Sequence, residues 1–305
     1  MSTPLFDRVA LIGIGLIGSS LALAMKKHGL AGHIAVSTRR AETLSKAQDL
    51  GLSDSYSLDA AQAVQDADLV MVCTPMGAYE GVAKSIHDAL KPGAIVSDVG
   101  SVKSSAIKDL KPHLPDHAHL IPGHPIAGTE NSGPEAGFAE LFPGRWTILT
   151  PEDGTDADAI AKVKQLWQGV GADVEVMSPD HHDRVLAITS HLPHLIAFSI
   201  VDTADQLADE IKQEVIQYSA SGFRDFTRIA AGDPVMWRDI FLNNRDAVLD
   251  VLGRFTEDLT QLQRAIRKGD GDFMETTFGR AQAVRRSIID AKQHTPDVKP
   301  DEEDA

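Results

Sequence analysis

The stretch Val9-Ala-Leu-Ile-Gly-Ile-Gly-Leu-Ile-Gly-Ser-Ser20 decides the fold. Its first four residues are an apolar run of buried-strand type. Gly13-x-Gly15-x-x-Gly18 follows at once, and a helical pattern runs on to about residue 28. Strand, tight turn and helix start are the parts that a dinucleotide pyrophosphate needs. Gly13 permits the turn, Gly15 lets backbone N–H groups approach the phosphates, and Gly18 lets helix and strand pack closely. Leu16 and Ile17, between the last two glycines, open the helix and belong to the same cofactor loop. Its N-terminus offers unpaired N–H groups and partial positive charge to an anion. A glycine turn alone also fits a purely structural role; the strand before it and the helix after it are what point to a nucleotide.

Working outward, residues 33–38 read as a second strand ending in Ser37-Thr38-Arg39-Arg40. An NAD-type site places a carboxylate near this point to bind the ribose 2′-OH. No carboxylate stands here, and two guanidinium groups can bind a 2′-phosphate. The expectation is therefore NADP, with NAD possible, and Ser37, Thr38, Arg39 and Arg40 as its ribose-side residues. The plainer alternative is a solvated basic start to the next helix. Further strands are expected at 67–73, 94–98, 119–121, 145–150 and 173–176, with a helix at about 156–168. Thr74-Pro75 ends the first of these and is assigned to the cofactor side. Strands alternating with helices imply an α/β fold with a doubly wound, mainly parallel sheet. Ligands bind at the carboxyl ends of such strands, so the loops after Cys73, Asp98 and Ile121 are the places for chemistry. The second carries Ser101, Lys103, Ser104 and Ser105. In the third, His124 lies between Gly123 and Pro125, which fix a backbone path rather than a helix. A histidine held there can take a proton near neutral pH, or simply pack.

From Pro179 onward strand signals vanish. Ser178-Pro179-Asp180 reads as a helix start, and residues 180–208 form a long helix kinked at Pro193. It is apolar all round and needs burial between helices or subunits. His191 and His194 share a face, but no Cys, Asp or Glu stands at ligand spacing, so no metal is expected. Arg224, Arg228 and Arg238 follow, with Asp225 and Asp239 able to orient them. Helices at 233–268 and 270–292 come next. The organisation expected is a nucleotide domain at 1–178, a helical domain at 179–293 and a disordered acidic tail at 294–305.

The net charge of −15 over 305 residues argues against nucleic acid and against an anionic membrane surface. No apolar run of membrane-spanning length is evident, and the N-terminus lacks the order of a signal peptide. The single cysteine, Cys73, fits a reducing compartment, the cytoplasm.

Taken together, G-I-G-L-I-G-S, D-V-G-S-V-K, G-H-P-I-A-G-T-E, S-H-L-P-H and D-F-T-R-I-A-x-x-D-P-x-M-W resemble the prephenate and arogenate (cyclohexadienyl) dehydrogenases. The resemblance spans nearly the whole chain. It implies a Rossmann-type N-terminal domain, an all-α dimerisation domain and a homodimer. The implied reaction is oxidative decarboxylation of prephenate or arogenate with hydride transfer to NAD(P), in tyrosine biosynthesis. It implies His124 as the catalytic histidine on the ring hydroxyl, with Ser101 as its partner near the nicotinamide. It further implies Arg228 on a substrate carboxylate, His194 and Trp237 lining the pocket, and Glu130 at its mouth. The chain departs from NAD-specific members in lacking the second-strand carboxylate. No regulatory ACT or chorismate mutase domain is expected. Other readings are a beta-hydroxyacid dehydrogenase or imine reductase, and a nucleotide sensor without turnover. The first usually depends on a helical-domain lysine, which S-H-L-P-H and D-F-T-R do not offer; His124 with Arg228 argues against the second.

Overall fold

The computed structural model describes residues 3–129, 131–206 and 221–290. The chain begins with β1 (Phe6–Ile12), α1 (Leu16–His28), β2 (Ala31–Ser37), α2 (Ala41–Asp49), β3 (Ser55–Ser57), α3 (Ala60–Val64) and β4 (Leu69–Val72). It continues through α4 (Tyr79–Ile86), β5 (Ile95–Asp98), α5 (Lys103–Leu110) and β6 (His119–Ile121). The six strands form one parallel sheet in the order β3-β2-β1-β4-β5-β6. β4 is apolar without alternation, and every residue of β4 and β5 is buried, because helices cover both faces. On one face Leu21 and Met25 of α1 pack with Phe142 and Trp167; on the other, Tyr79, Ile86 and Leu110 pack under Val70 and Val96. Sheet order reverses between β1 and β4, which opens a crevice beyond their carboxyl ends.

The strands at 145–150 and 173–176 do not continue that sheet. A short strand β7 (Gly123–Pro125), β8 (Trp146–Leu149) and β9 (Asp173–Val176) form a second sheet, in which β7 and β8 run antiparallel. Pro122, which has no N–H, separates β6 from β7, and its carbonyl accepts from Thr150 N–H at 2.8 Å. The strand that follows pairs with β7 instead of with β6. The helix between β8 and β9 is α6 (Ala157–Gly169), capped by Asp156, whose carboxylate accepts Ala159 N–H at 2.8 Å.

Every described element after β9 is helical. Ser178 caps α7 (Pro179–Leu186), with Pro179 at its first position. The kink expected at Pro193 is a π-helical turn, Ala187–His191, just before it, followed by α8 (Leu192–Gln206). A proline cannot donate to the carbonyl one turn back, and the backbone there widens instead. The helix expected at 233–268 is two, Pro234–Asn243 and Arg245–Lys268, broken at Asn244. Asn244 ends the first of them at φ −103°, ψ 30°, and its buried side chain donates to Asp183 O at 2.8 Å. The last described helix is Gly271–Asp290. Ala208 and the tail 294–305 lie outside the described residues.

By compactness the molecule divides between Leu249 and Asp250. In the first unit Ile188, Ile200, Val235 and Leu242 remain exposed. In the second, Leu259, Ile266, Phe278 and Val284 do. The sequence reading that no segment reaches membrane-spanning length is corrected here: Pro179–Gln206 is long and apolar enough by composition. It also carries His182, Asp183 and His191, all buried.

Candidate active site

At the crevice, Gly13 has φ +97°, a conformation that L side chains rarely adopt. A Cβ there would lie 2.7 Å from Cys73 O, and one on Gly18 would lie 2.6 Å from Gly13 O. These two glycines hold β1, β4 and α1 together. Gly15 differs: a Cβ on it would meet no protein atom within 4 Å. It caps α1 without a side-chain hydrogen bond, and the first turn holds no acidic residue. The leading N–H groups of α1, where Leu16 and Ile17 stand, are thus left for an anion. Thr74, followed by exposed Pro75, has a buried Oγ1 with no hydrogen-bond partner among the described residues. Ser37 is buried at the end of β2, Thr38 is half-buried, and Arg39 and Arg40 are exposed, without ion pairs among the described residues. An uncapped helix start, a glycine over open space and an orphaned hydroxyl fit a dinucleotide.

His124 is not on a loop. It is the middle residue of β7, paired with Ile148, and only 9% exposed. Its backbone is clamped from beneath by residues of D-V-G-S-V-K. Asp98 Oδ1 accepts Gly123 N–H at 3.1 Å, and Lys103 Nζ donates to Gly123 O at 2.7 Å. Asp98 Oδ2 accepts from Lys103 Nζ at 2.5 Å, Tyr79 OH at 2.9 Å and Gly100 N–H at 2.8 Å. Lys103 is fully buried; burial pushes its pKa down against the pull of Asp98 and Asp183. An ion pair this enclosed fixes geometry more reliably than it adds stability.

The His124 ring meets a second imidazole, with Nδ1 2.8 Å from His182 Nε2. His182 Nδ1 in turn lies 2.8 Å from Asp183 Oδ1. Asp183 also accepts Lys103 N–H at 2.8 Å and Ser104 N–H at 2.9 Å, at the start of α5. Burial pushes the Asp183 carboxyl up, but these hydrogen bonds outweigh it and hold it below its ordinary value. Burial, with His182, Lys103 and His191 nearby, holds His124 well below its ordinary 6.5. Ser101 sits half-buried in the β5–α5 turn, with no hydrogen-bond partner among the described residues.

The helical residues gather around Trp237. Its indole is 7% exposed and stacks on His194, ring centroids 3.6 Å apart. Gly232 is bare because a Cβ there would strike Trp237 Nε1 at 2.6 Å. His194 Nδ1 is bonded to Ser190 O at 2.8 Å, which leaves Nε2 as its free nitrogen. Burial lowers the His194 pKa, and the nearby positive charge of Arg228 lowers it further. Arg224 pairs with Asp225 at 3.8 Å and Arg238 with Asp239 at 2.7 Å. Asp225 is therefore not the partner of Arg228, which is exposed and makes no ion pair among the described residues. Glu130 lies outside the described residues. Among the described residues no cluster of three metal-ligating side chains occurs.

His182, Asp183, Asp98, Tyr79 and Asn244 escaped the sequence reading. Asp98 stood inside a motif already singled out, and His182-Asp183 follows the helix start by three residues. Neither pair announces a spatial neighbour, since His124 is 58 residues away from His182.

Two family models match: "Prephenate dehydrogenase, nucleotide-binding domain" over residues 21–176, and "Prephenate dehydrogenase, dimerization domain" over residues 178–280. A cyclohexadienyl dehydrogenase of Zymomonas mobilis is 43% identical over 93% of this chain and 96% of its own length. A prephenate dehydrogenase of Bacillus subtilis is 32% identical over 92% of this chain and 76% of its own. Among solved structures, Aquifex aeolicus prephenate dehydrogenase with hydroxyphenyl propionate and NAD+ superposes with TM-score 0.84 at 36% identity. That match covers 95% of this chain and 99% of the other.

Proposed function

The chain belongs to the prephenate dehydrogenase family, and from that premise we propose that it oxidatively decarboxylates prephenate, with hydride transfer to NAD(P). The observation that carries the reading is His124: a buried imidazole on a clamped strand, beside the nucleotide crevice. The bound dinucleotide supplies the hydride acceptor. Gly13, Gly15, Leu16, Ile17 and Gly18 would hold its pyrophosphate, with Thr74 and Pro75 opposite. Neutral His124 accepts the proton of the ring hydroxyl as hydride leaves the carbinol carbon. Ser101, whose hydroxyl has no partner among the described residues, hydrogen-bonds in the same place. The ring carboxylate then departs as CO2 and the ring aromatises. Arg228, which pairs with no carboxylate among the described residues, offers a fork to a substrate carboxylate. His194 and Trp237 form the wall beside it, and Glu130 is assigned to the mouth. Arogenate, with an amine in place of the keto group, is a second candidate substrate. Turnover of a 3-hydroxy acid or an imine, with none of prephenate, would overturn the assignment.

NADP is used at least as well as NAD on this reading, because exposed Arg39 and Arg40, without ion pairs among the described residues, stand where a carboxylate would repel a 2′-phosphate. Comparing kcat/KM for the two dinucleotides tests it. Thr38→Asp shifts preference toward NAD; a strong preference for NAD in the unaltered enzyme contradicts the idea. We also take residues 1–178 and 179–293 as the nucleotide and dimerisation parts, acting as a homodimer in the cytoplasm, away from membranes and nucleic acid.

A further inference from the structure

We propose that His182 and Asp183 are positioning residues that fix the tautomer of His124, so that Nε2, and not Nδ1, is the base. The inference deepens the role proposed for His124 and rests on it.

Asp183 is held by two backbone N–H groups, of Lys103 and Ser104, and keeps its charge. A carboxylate only accepts. The His182 nitrogen facing it, Nδ1, must therefore carry the proton. Burial lowers the His182 pKa, so the ring is neutral and its other nitrogen is bare. Bare Nε2 of His182 faces Nδ1 of His124 at 2.8 Å and can only accept. The proton of neutral His124 thus sits on Nδ1, and the lone pair on Nε2. Each step is forced by the one before it, and the chain of two rings delivers one protonation state. When the substrate O–H bond breaks, its proton joins Nε2 and His124 becomes an imidazolium. No proton need pass to His182; Asp183 and His182 stabilise that cation by their orientation.

The surrounding groups are consistent with this. Around His124 stand His182 from α7, Lys103 from α5 and His191 from the π turn; Asp183 lies behind His182 and Asp98 behind Lys103. Lys103 is committed to Asp98 and Gly123 O. Asn244 donates to His191 Nδ1 at 3.0 Å, so the His191 ring is fixed separately.

Nitrogen NMR of the unaltered protein, labelled with 15N-histidine, reads the tautomer directly. His124 is assigned by the signal lost in His124→Asn. We expect a protonated Nδ1 and a bare Nε2; the reverse overturns the proposal. His182→Leu removes the acceptor and is expected to lower kcat by roughly 10–100-fold, the scale seen when an imidazole loses its orienting partner. The KM for prephenate should hardly move. His182→Gln can present an oxygen to His124 and an amide N–H to Asp183, and should restore most of the loss. Equal losses in the Leu and Gln variants, or none in either, count against the proposal. If His124→Asn keeps its kcat, the base assignment itself has failed; if it does not while His182→Leu is silent, only the positioning role has.

Discussion

An imidazole serves as a base only while it is neutral, and a guanidinium binds a substrate carboxylate only if no carboxylate of its own chain holds it. His124 meets the first condition through burial and the groups around it. Among the described residues Arg228 meets the second, since Asp225 and Asp239 pair with Arg224 and Arg238. Binding a carboxylate is an interaction made before the transition state as well as in it. Arg228→Ala should therefore raise the KM for prephenate about tenfold or more, the order expected from losing a charge-assisted hydrogen bond, with a smaller fall in kcat. Steady-state kinetics, after circular dichroism has confirmed the fold, decides it. At this scale much of the candidate site was legible, because His124 and Arg228 lie in motifs with unusual neighbours. The dyad His182-Asp183 was not, because what makes it matter is a contact across the fold.

At the scale of elements, the three glycines of the first turn separate into two kinds. Gly13 and Gly18 are constrained by protein atoms, while Gly15 faces open space. Gly15→Ala should leave the melting temperature nearly unchanged and raise the KM for the dinucleotide by about tenfold, because the added methyl occupies the ligand's side. Unchanged dinucleotide binding would place the pyrophosphate elsewhere. This loop was readable from sequence because each glycine has a local duty. β7 was not: three residues, Gly-His-Pro, carry no strand pattern, and only the antiparallel partner β8 makes them one. The break at Asn244 was hidden likewise, since its side chain bonds across the fold to Asp183 and His191.

For the whole molecule, the alternation of strands and helices predicts the parallel sheet, and the sheet's reversal locates the crevice. What the pattern did not convey is which strands leave for a second sheet. The apolar surface poses a separate question. Within the first unit Ile188 is 52% and Leu242 65% exposed. Within the second, Ile266 is 67% and Val284 61% exposed. Helices this apolar ask for further burial. A homodimer is the expected answer, and light scattering at micromolar concentration should find it; monomer alone would contradict it.

The central claim is that neutral His124 takes the proton in prephenate oxidation, and its most direct test is the pH dependence of kcat/KM. Protonation below the pKa removes the base, and that pKa is held below 6.5. Activity should therefore stay level through neutrality and fall only on the acid side of 6.5. In His124→Asn that acid limb should vanish, and kcat should drop by roughly 10²–10⁴-fold, the usual contribution of a general base. An acid limb that persists unchanged in His124→Asn, or a variant affected only in KM, would contradict the account.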